Sequence, residues 1–501
     1  MDGIELTLSE APSVEKIVAL LFMNIIFATL TITILSPFSF NTFSSQSPLD
    51  IQVANAIKDV ISKHTTSSLI MQGGDTKDSP STTPNTTISN SHCISFDSSN
   101  RTITVSCSSA RLSDVYNQLH DNSILIKQSP LGTWFLSANL VISKGATLNV
   151  ESPDTKWLKI NSIRGASDSD SKSSSSSHSR SSAAYIIDVL GGLKIHSVKI
   201  TSWDPTTNYY AIINGSRTGS GVFIFGAPRP SIIVENNATG TTDITNSEIA
   251  YLGYEQGKHK GGSGLSYYYG GDGSIIRNND IHHVYFGLYT FGVGHMIIEN
   301  NIIRNSGHYG LDPHTRTHDM VIRNNVVYDN NGSGIICSLN CYNILIENNR
   351  VHDNAENGID FSRNMYNSIA KNNIVYNEAQ GIFVSQSHNN QISNNTISYS
   401  TDGIYVNSGS TNNKMYDNTI MNSKSHAILI KNASSTNAFY TNKIVSANKQ
   451  GLSINQDPTS KNNTFTNNQI VSGGVASSTP AEPSTETNTI KHPHDKKNSI
   501  K

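Results

Sequence analysis

Charge is scarce in this chain. Asp, Glu, Lys and Arg together make up 15% of its 501 residues, where a soluble globular protein usually carries about a quarter. The 36 basic and 38 acidic side chains nearly cancel to a formal charge of -2, so no global field would hold the chain on a nucleic-acid backbone. A nucleic-acid partner is not expected. Cysteine is also rare: Cys93, Cys107, Cys337 and Cys341 are too few for a disulfide scaffold, and none of their spacings makes a zinc site. Apolar residues are 36%, and the excess lies in Asn, Ser, Thr and Gly, which argues against long helices or a coiled coil.

Long apolar runs are absent except for one. IVALLFMNIIFATLTITIL, from Ile17 to Leu35, has about the ~20 residues needed to cross a bilayer. The segment before it carries Asp2, Glu5, Glu10 and Glu15 against a single Lys16, a poor n-region for a cleaved signal. Residues 1–39 therefore read as a membrane anchor, or alternatively a signal, and either one places the remainder at the cell surface or outside the cell. An oxidising exterior would let Cys93 and Cys107 pair across the hairpin-like CISFDSSNRTITVSC.

Residues 40–91 are rich in Ser, Thr, Gln and Asn without a period and read as a linker. ARLSDVYNQL at 110–119 predicts one amphipathic helix, and 132–150 alternates as strands do. The serine tract at 166–182 reads as a disordered insert, and residues 475–501 as a disordered tail.

The middle of the chain repeats. Gly264-Leu265, Gly287-Leu288, Gly310-Leu311, Gly334-Ile335, Gly358-Ile359, Gly381-Ile382, Gly403-Ile404, Ala427-Ile428 and Gly451-Leu452 recur every 22 to 24 residues. An Asn at 279, 301, 325, 349, 373, 395, 418, 442 and 468 keeps step with them. A leucine-rich horseshoe has a similar period but needs a different frame and helical segments. Short strands with asparagine turns instead predict an all-β fold, a right-handed single-stranded parallel β-helix over 92–474, in which stacked asparagines bond from coil to coil.

Alternation along each strand sorts the columns. Residues one and three past the glycine point inward, and those two and four past it point outward. The outward columns gather aromatic and ionisable side chains on neighbouring coils: Tyr268, Tyr289, Phe291, Asp312, His314, Ser338 and Asp360. A straight row of such residues suits an elongated acidic polysaccharide, with rings to stack on sugars and ionisable groups for proton transfer. His282, His283, His295, His308, His314 and His318 fall in a short span but in different columns, so no metal site is read from them. No cofactor is required by this pattern; calcium, which acidic polymers often bring, stays open but is not indicated, because the glycine-aspartate nonapeptides that bind it are not present.

The densest stretch is HYGLDPH, from His308 to His314. It resembles the YG-hydrophobic-DPH motif of the mannuronan (alginate) C5-epimerases, right-handed β-helix enzymes that convert mannuronate to guluronate within a polymer. IAYLGYEQGKHKGGSGLSY, YFGLYTF and GSGIICS also look like stretches of the periplasmic type, and the similar region runs from about Trp203 to Asn442. The resemblance implies that His314 and Tyr309 serve as base and acid on two faces of a uronate, with Asp312 holding the sugar or orienting the histidine. Two departures stand out. The acidic residue usual after the histidine is Thr315 here, and the arginine that family members carry in a GII-x-SR string on the following coil is Leu339. Arg363, in the same column one coil further on, is the first candidate for the missing cation, followed by Arg316, Lys258 and Lys260.

Three functions fit these residues: a polyuronate C5-epimerase, a lyase that begins with the same proton abstraction and then expels the C4 oxygen, and a non-catalytic surface β-helix that binds glycans. The chain is expected to act as a monomer.

Overall fold

The computed structural model describes residues 93–163, 184–212, 228–254 and 262–473. The apolar run at 17–35, the 40–91 linker, the serine tract at 166–182, the tail from 475, and Lys258 and Lys260 lie outside them. Among the described residues no helix is long and apolar enough to cross a membrane.

Each turn of the chain contributes one strand to each of three sheets, of 14, 13 and 14 strands. Apart from two antiparallel hairpins near the start, at Ile94–Val105 and Leu125–Leu136, the strands pair in parallel with the equivalent strand of the next turn. The result is a right-handed parallel β-helix. Cys93 and Cys107 are disulfide-bonded across the first hairpin, whereas Cys337 and Cys341 are free and buried. The helix expected over 110–119 is shorter: Ala110–Arg111 is spent on a strand, and Leu112–Leu119 is helical with Leu112 and Val115 in the core.

The glycine column sets the register. Leu288 lies beside Leu311, Leu311 beside Ile335, and Ile335 beside Ile359, and all four are at most 1% exposed. Burying each is worth roughly 1.5–3 kcal/mol. The glycines recur because the coils crowd at that corner: a Cβ on Gly310 would fall 2.5 Å from the Gly334 carbonyl oxygen.

The paired asparagines divide the work. The first of each pair, Asn278, Asn300, Asn324 and Asn348, takes a left-handed φ of 55 to 58°, which asparagine tolerates better than most residues. The second is buried in the turn. Asn325, for example, donates both its backbone N–H and its Nδ2 to Asn349 Oδ1 at 3.0 Å, and Nδ2 also reaches the Ile298 carbonyl at 2.9 Å. The ladder runs unbroken from Asn279 to Asn468. The buried amide of each rung is thereby satisfied within the protein.

Candidate functional site

Five successive strands of the first sheet carry the site: Gly264–Tyr268, Phe286–Phe291, Leu311–His314, Ile335–Ser338 and Ile359–Ser362. Tyr289 lies beside Asp312, Phe291 beside His314, His314 beside Ser338, and Ile336 beside Asp360. The pairing of Leu311–His314 with the following coil skips Asp312 and Pro313. Proline has no N–H to donate, and the neighbouring donors, Leu311 to Gly334 and Thr315 to Ser338, show that a donor at 313 would have met Ile336. The ladder is open at the motif.

His314 sits at the end of its strand against an aromatic wall. Its ring centroid is 5.6 Å from Tyr289 and 6.1 Å from Phe291, and Tyr268 packs on both of these rings. Nδ1 lies 2.6 Å from Thr315 Oγ1, and Nε2 lies 3.4 Å from a terminal nitrogen of Arg363. Arginine only donates, so the contact calls for a lone pair on Nε2, with the proton on Nδ1 directed at Thr315. Burial, helped by Arg363, lowers the His314 pKa to about 4. The ring is neutral at neutral pH.

Arg363 belongs to the column of Thr315 and Leu339, whose N–H groups donate to Ser338, Ser362 and, for Arg363, Ser385. Its backbone lies one coil beyond that of Leu339. The side chain instead folds back to donate to Ser338 Oγ at 2.9 Å, next to His314. Ser338, expected to touch the polymer, is 0% exposed and serves as the anchor of that guanidinium.

Asp312 is in the outward column but does not stand free. It is 2% exposed, and one of its oxygens is buried without a hydrogen-bond partner. Asp360, likewise expected to face substrate, is 5% exposed; its second oxygen accepts from Asn357 Nδ2 at 3.0 Å, and the first has no partner. Burial raises the pKa of Asp312 to about 8 and that of Asp360 to about 7, against the opposing pull of Arg363. Both are buried on the outer side of the sheet, beneath its larger side chains.

Tyr309 stands in the turn two residues before the strand that ends at His314. Burial raises the Tyr309 pKa, and the carboxyl groups of Glu356, Asp312 and Asp360 add to it, so the phenol keeps its proton. Its ring packs on His308, with centroids 3.9 Å apart, and on Phe286 at 5.8 Å. Gly332 makes the space: a Cβ there would come within 2.5 Å of Tyr309 Cδ1.

The structure thus brings together Tyr309, Asp312, His314, Arg363, Tyr268, Tyr289, Phe291, Ser338 and Asp360. Arg316 is exposed in the turn beyond His314 and is not drawn into the cluster. Sequence reasoning missed Thr315, seen there only as a departure, along with Phe286 and Gly332, which lie off the repeat's marked columns. Among the described residues no group of three or more His, Cys, Asp or Glu side chains is placed to hold a metal ion.

Comparison with known proteins bears on the fold. Residues 234–429 match the family described as NosD, periplasmic copper-binding protein. No protein of curated function matches the chain in sequence. The crystal structure of the periplasmic alginate epimerase AlgG is similar at a TM-score of 0.60 and 21% identity, over 74% of this chain and 85% of that one. A substituted form of AlgG is similar at a TM-score of 0.59 and 22% identity, over 73% and 85%. At such identities the likeness is one of fold.

Proposed function

We propose that the protein is a C5-epimerase acting on uronate residues of an acidic, alginate-like polysaccharide outside the cytoplasm. The observation that carries this reading is a neutral imidazole at the end of one strand and a protonated phenol in the turn just before its start, both within the field of the Arg363 guanidinium, the phenol also within that of the buried Asp312 carboxyl. The AlgG likeness and the disulfide agree with it.

Epimerisation must loosen the C5–H bond beside a carboxylate, hold the resulting charge, and return a proton to the other face. In the free protein Arg363 lies against Nε2 of His314. An incoming uronate carboxylate is a stronger partner for the guanidinium than a neutral imidazole. It would draw Arg363 onto itself, baring the Nε2 lone pair and removing the charge that depresses its basicity. Asp312 carries a proton near neutral pH, so it offers the substrate a donor rather than a repelling charge. His314 Nε2 then takes the C5 proton, the electron pair delocalises into the carboxylate as an enolate, and the Tyr309 hydroxyl gives its proton to C5 from the opposite side. Solvent restores the imidazole and the phenol. Thr315 fixes the ring through Nδ1 as an acidic residue would, but adds no charge.

Proton NMR of polymannuronate incubated with the protein in deuterium oxide tests the reading. Guluronate signals with deuterium at C5 are expected, and His314→Asn should abolish both. Growth of unsaturated-uronate absorbance without inversion would instead assign a lyase. Neither product, with the polymer still bound, would leave a glycan-binding β-helix.

A further inference from the structure

The row that holds Tyr289 and Asp312 does not end at the reacting centre. Beyond Ile336 and Asp360 it continues into Phe383 and then Tyr405, residue beside residue on successive coils. Phe383 and Tyr405 are half-buried on the outer face of strands Gln380–Ser385 and Asp402–Asn407, with ring centroids 5.1 Å apart. In the parallel outward column beside them stand only Ser362, Ser385 and Asn407, short polar side chains that leave the rings uncovered from that direction. The next residue in the row, Leu429, is 4% exposed and closes it. Lys431 follows on that last coil as an exposed cation.

The core does not account for these rings. Their inward neighbours Ile382, Val384, Ile404 and Val406 are all 0% exposed and fill the interior by themselves. Coils rise by about 4.8 Å, close to the length of one hexuronate residue, so a polymer lying along the row meets one coil per sugar. Phe383 is three coils and Tyr405 four coils from Asp312.

We propose that Phe383 and Tyr405 form a distal subsite that stacks on non-reacting sugar rings of the same polyuronate chain, three and four residues from the one being epimerised. The subsite rests on the epimerase reading, because the occupant is taken to be the polymer already seated at Asp312. Its continuity with that row selects this occupant, and Lys431 at the far end matches the polymer's charge. Because these rings touch only non-reacting residues, the subsite keeps the chain engaged between turnovers.

Size-defined oligomannuronates from three to ten residues, titrated calorimetrically into the His314→Asn protein, test this. Affinity should rise about tenfold once oligomers become long enough to cover both rings. Adding Phe383→Ala and Tyr405→Ala should erase that step while leaving the shortest oligomers unaffected, and Phe383→Tyr should restore part of it. In the active protein the double alanine variant should raise KM for long chains and leave kcat alone. An unchanged length dependence in a double variant that melts like the parent would overturn the subsite and leave the epimerase reading intact. Failure of any polyuronate to bind the parent would remove both.

Discussion

Arg363 and His314 lie two coils apart in the chain's winding, yet a terminal nitrogen of the guanidinium stands 3.4 Å from Nε2 of the imidazole. The cation is missing from the nearer coil, where Leu339 occupies its column, and is supplied from the next one. Replacing it should therefore be costly. Arg363→Gln is expected to lower kcat/KM by about 10²- to 10³-fold, the usual loss on removing a group that stabilises developing charge. With burial left as the lowering influence, the acid limb of the pH profile should also rise from its position near pH 4 toward the ordinary histidine range. An acid limb that stays in place would detach Arg363 from the histidine.

Thr315 supplies the only side-chain oxygen bonded to His314 Nδ1 among the described residues. Thr315→Val should cut kcat about tenfold while leaving KM nearly constant, because the tautomer is no longer fixed. Thr315→Asp should restore the orientation and raise the acid limb, since a carboxylate favours imidazolium. A pH series of kcat/KM for both variants reads the difference.

The asparagine ladder predicts a stability effect independent of catalysis. Asn349→Ala strips the partner from the Asn325 N–H and Nδ2 and from the Ile322 carbonyl, all deep in the turn. Each such group left unpaired costs about 1–3 kcal/mol, so a loss of about 3 kcal/mol or more is expected in urea unfolding at neutral pH. An exposed asparagine such as Asn340 replaced by alanine should cost far less.

A second ladder, Asn330 to Asn354, ends on Glu378, whose two oxygens accept from the Asn354 N–H at 3.1 Å and Nδ2 at 2.8 Å. Burial raises its pKa to about 8. A carboxyl whose folded pKa lies above its unfolded one loses stabilising value as pH climbs between the two. Glu378→Asn, which restores the residue type used at the earlier rungs, should therefore gain on the parent as pH rises from about 5 to 8. Urea midpoints for the two proteins should diverge over that range; parallel curves would mean that Glu378 is ionised throughout.

The path of the chain was legible because it is written twice over, in glycines that permit close approach and in asparagines that bond to the asparagine one turn away. Both requirements are local and repeat, so from Gly264 onward spacing alone marked the coils, the inward and outward columns, and the neighbours of Asp312 and His314, while the earlier coils carry no such marker. Cys93 and Cys107 were legible for the same reason, being brought face to face by one hairpin.

What the spacing could not reach is set by side chains crossing between coils and by the water they exclude. A column assigns Arg363 a place on the backbone but says nothing about a flexible side chain folding back toward Ser338. Alternation puts Asp312 and Asp360 on the outer face, while their burial depends on neighbours from other coils. Protonation is a property of that surrounding volume, since it reflects the field and solvent around a group rather than its position in a period. The amino-acid order determined which groups share the outer columns; only packing decided which of them would carry charge.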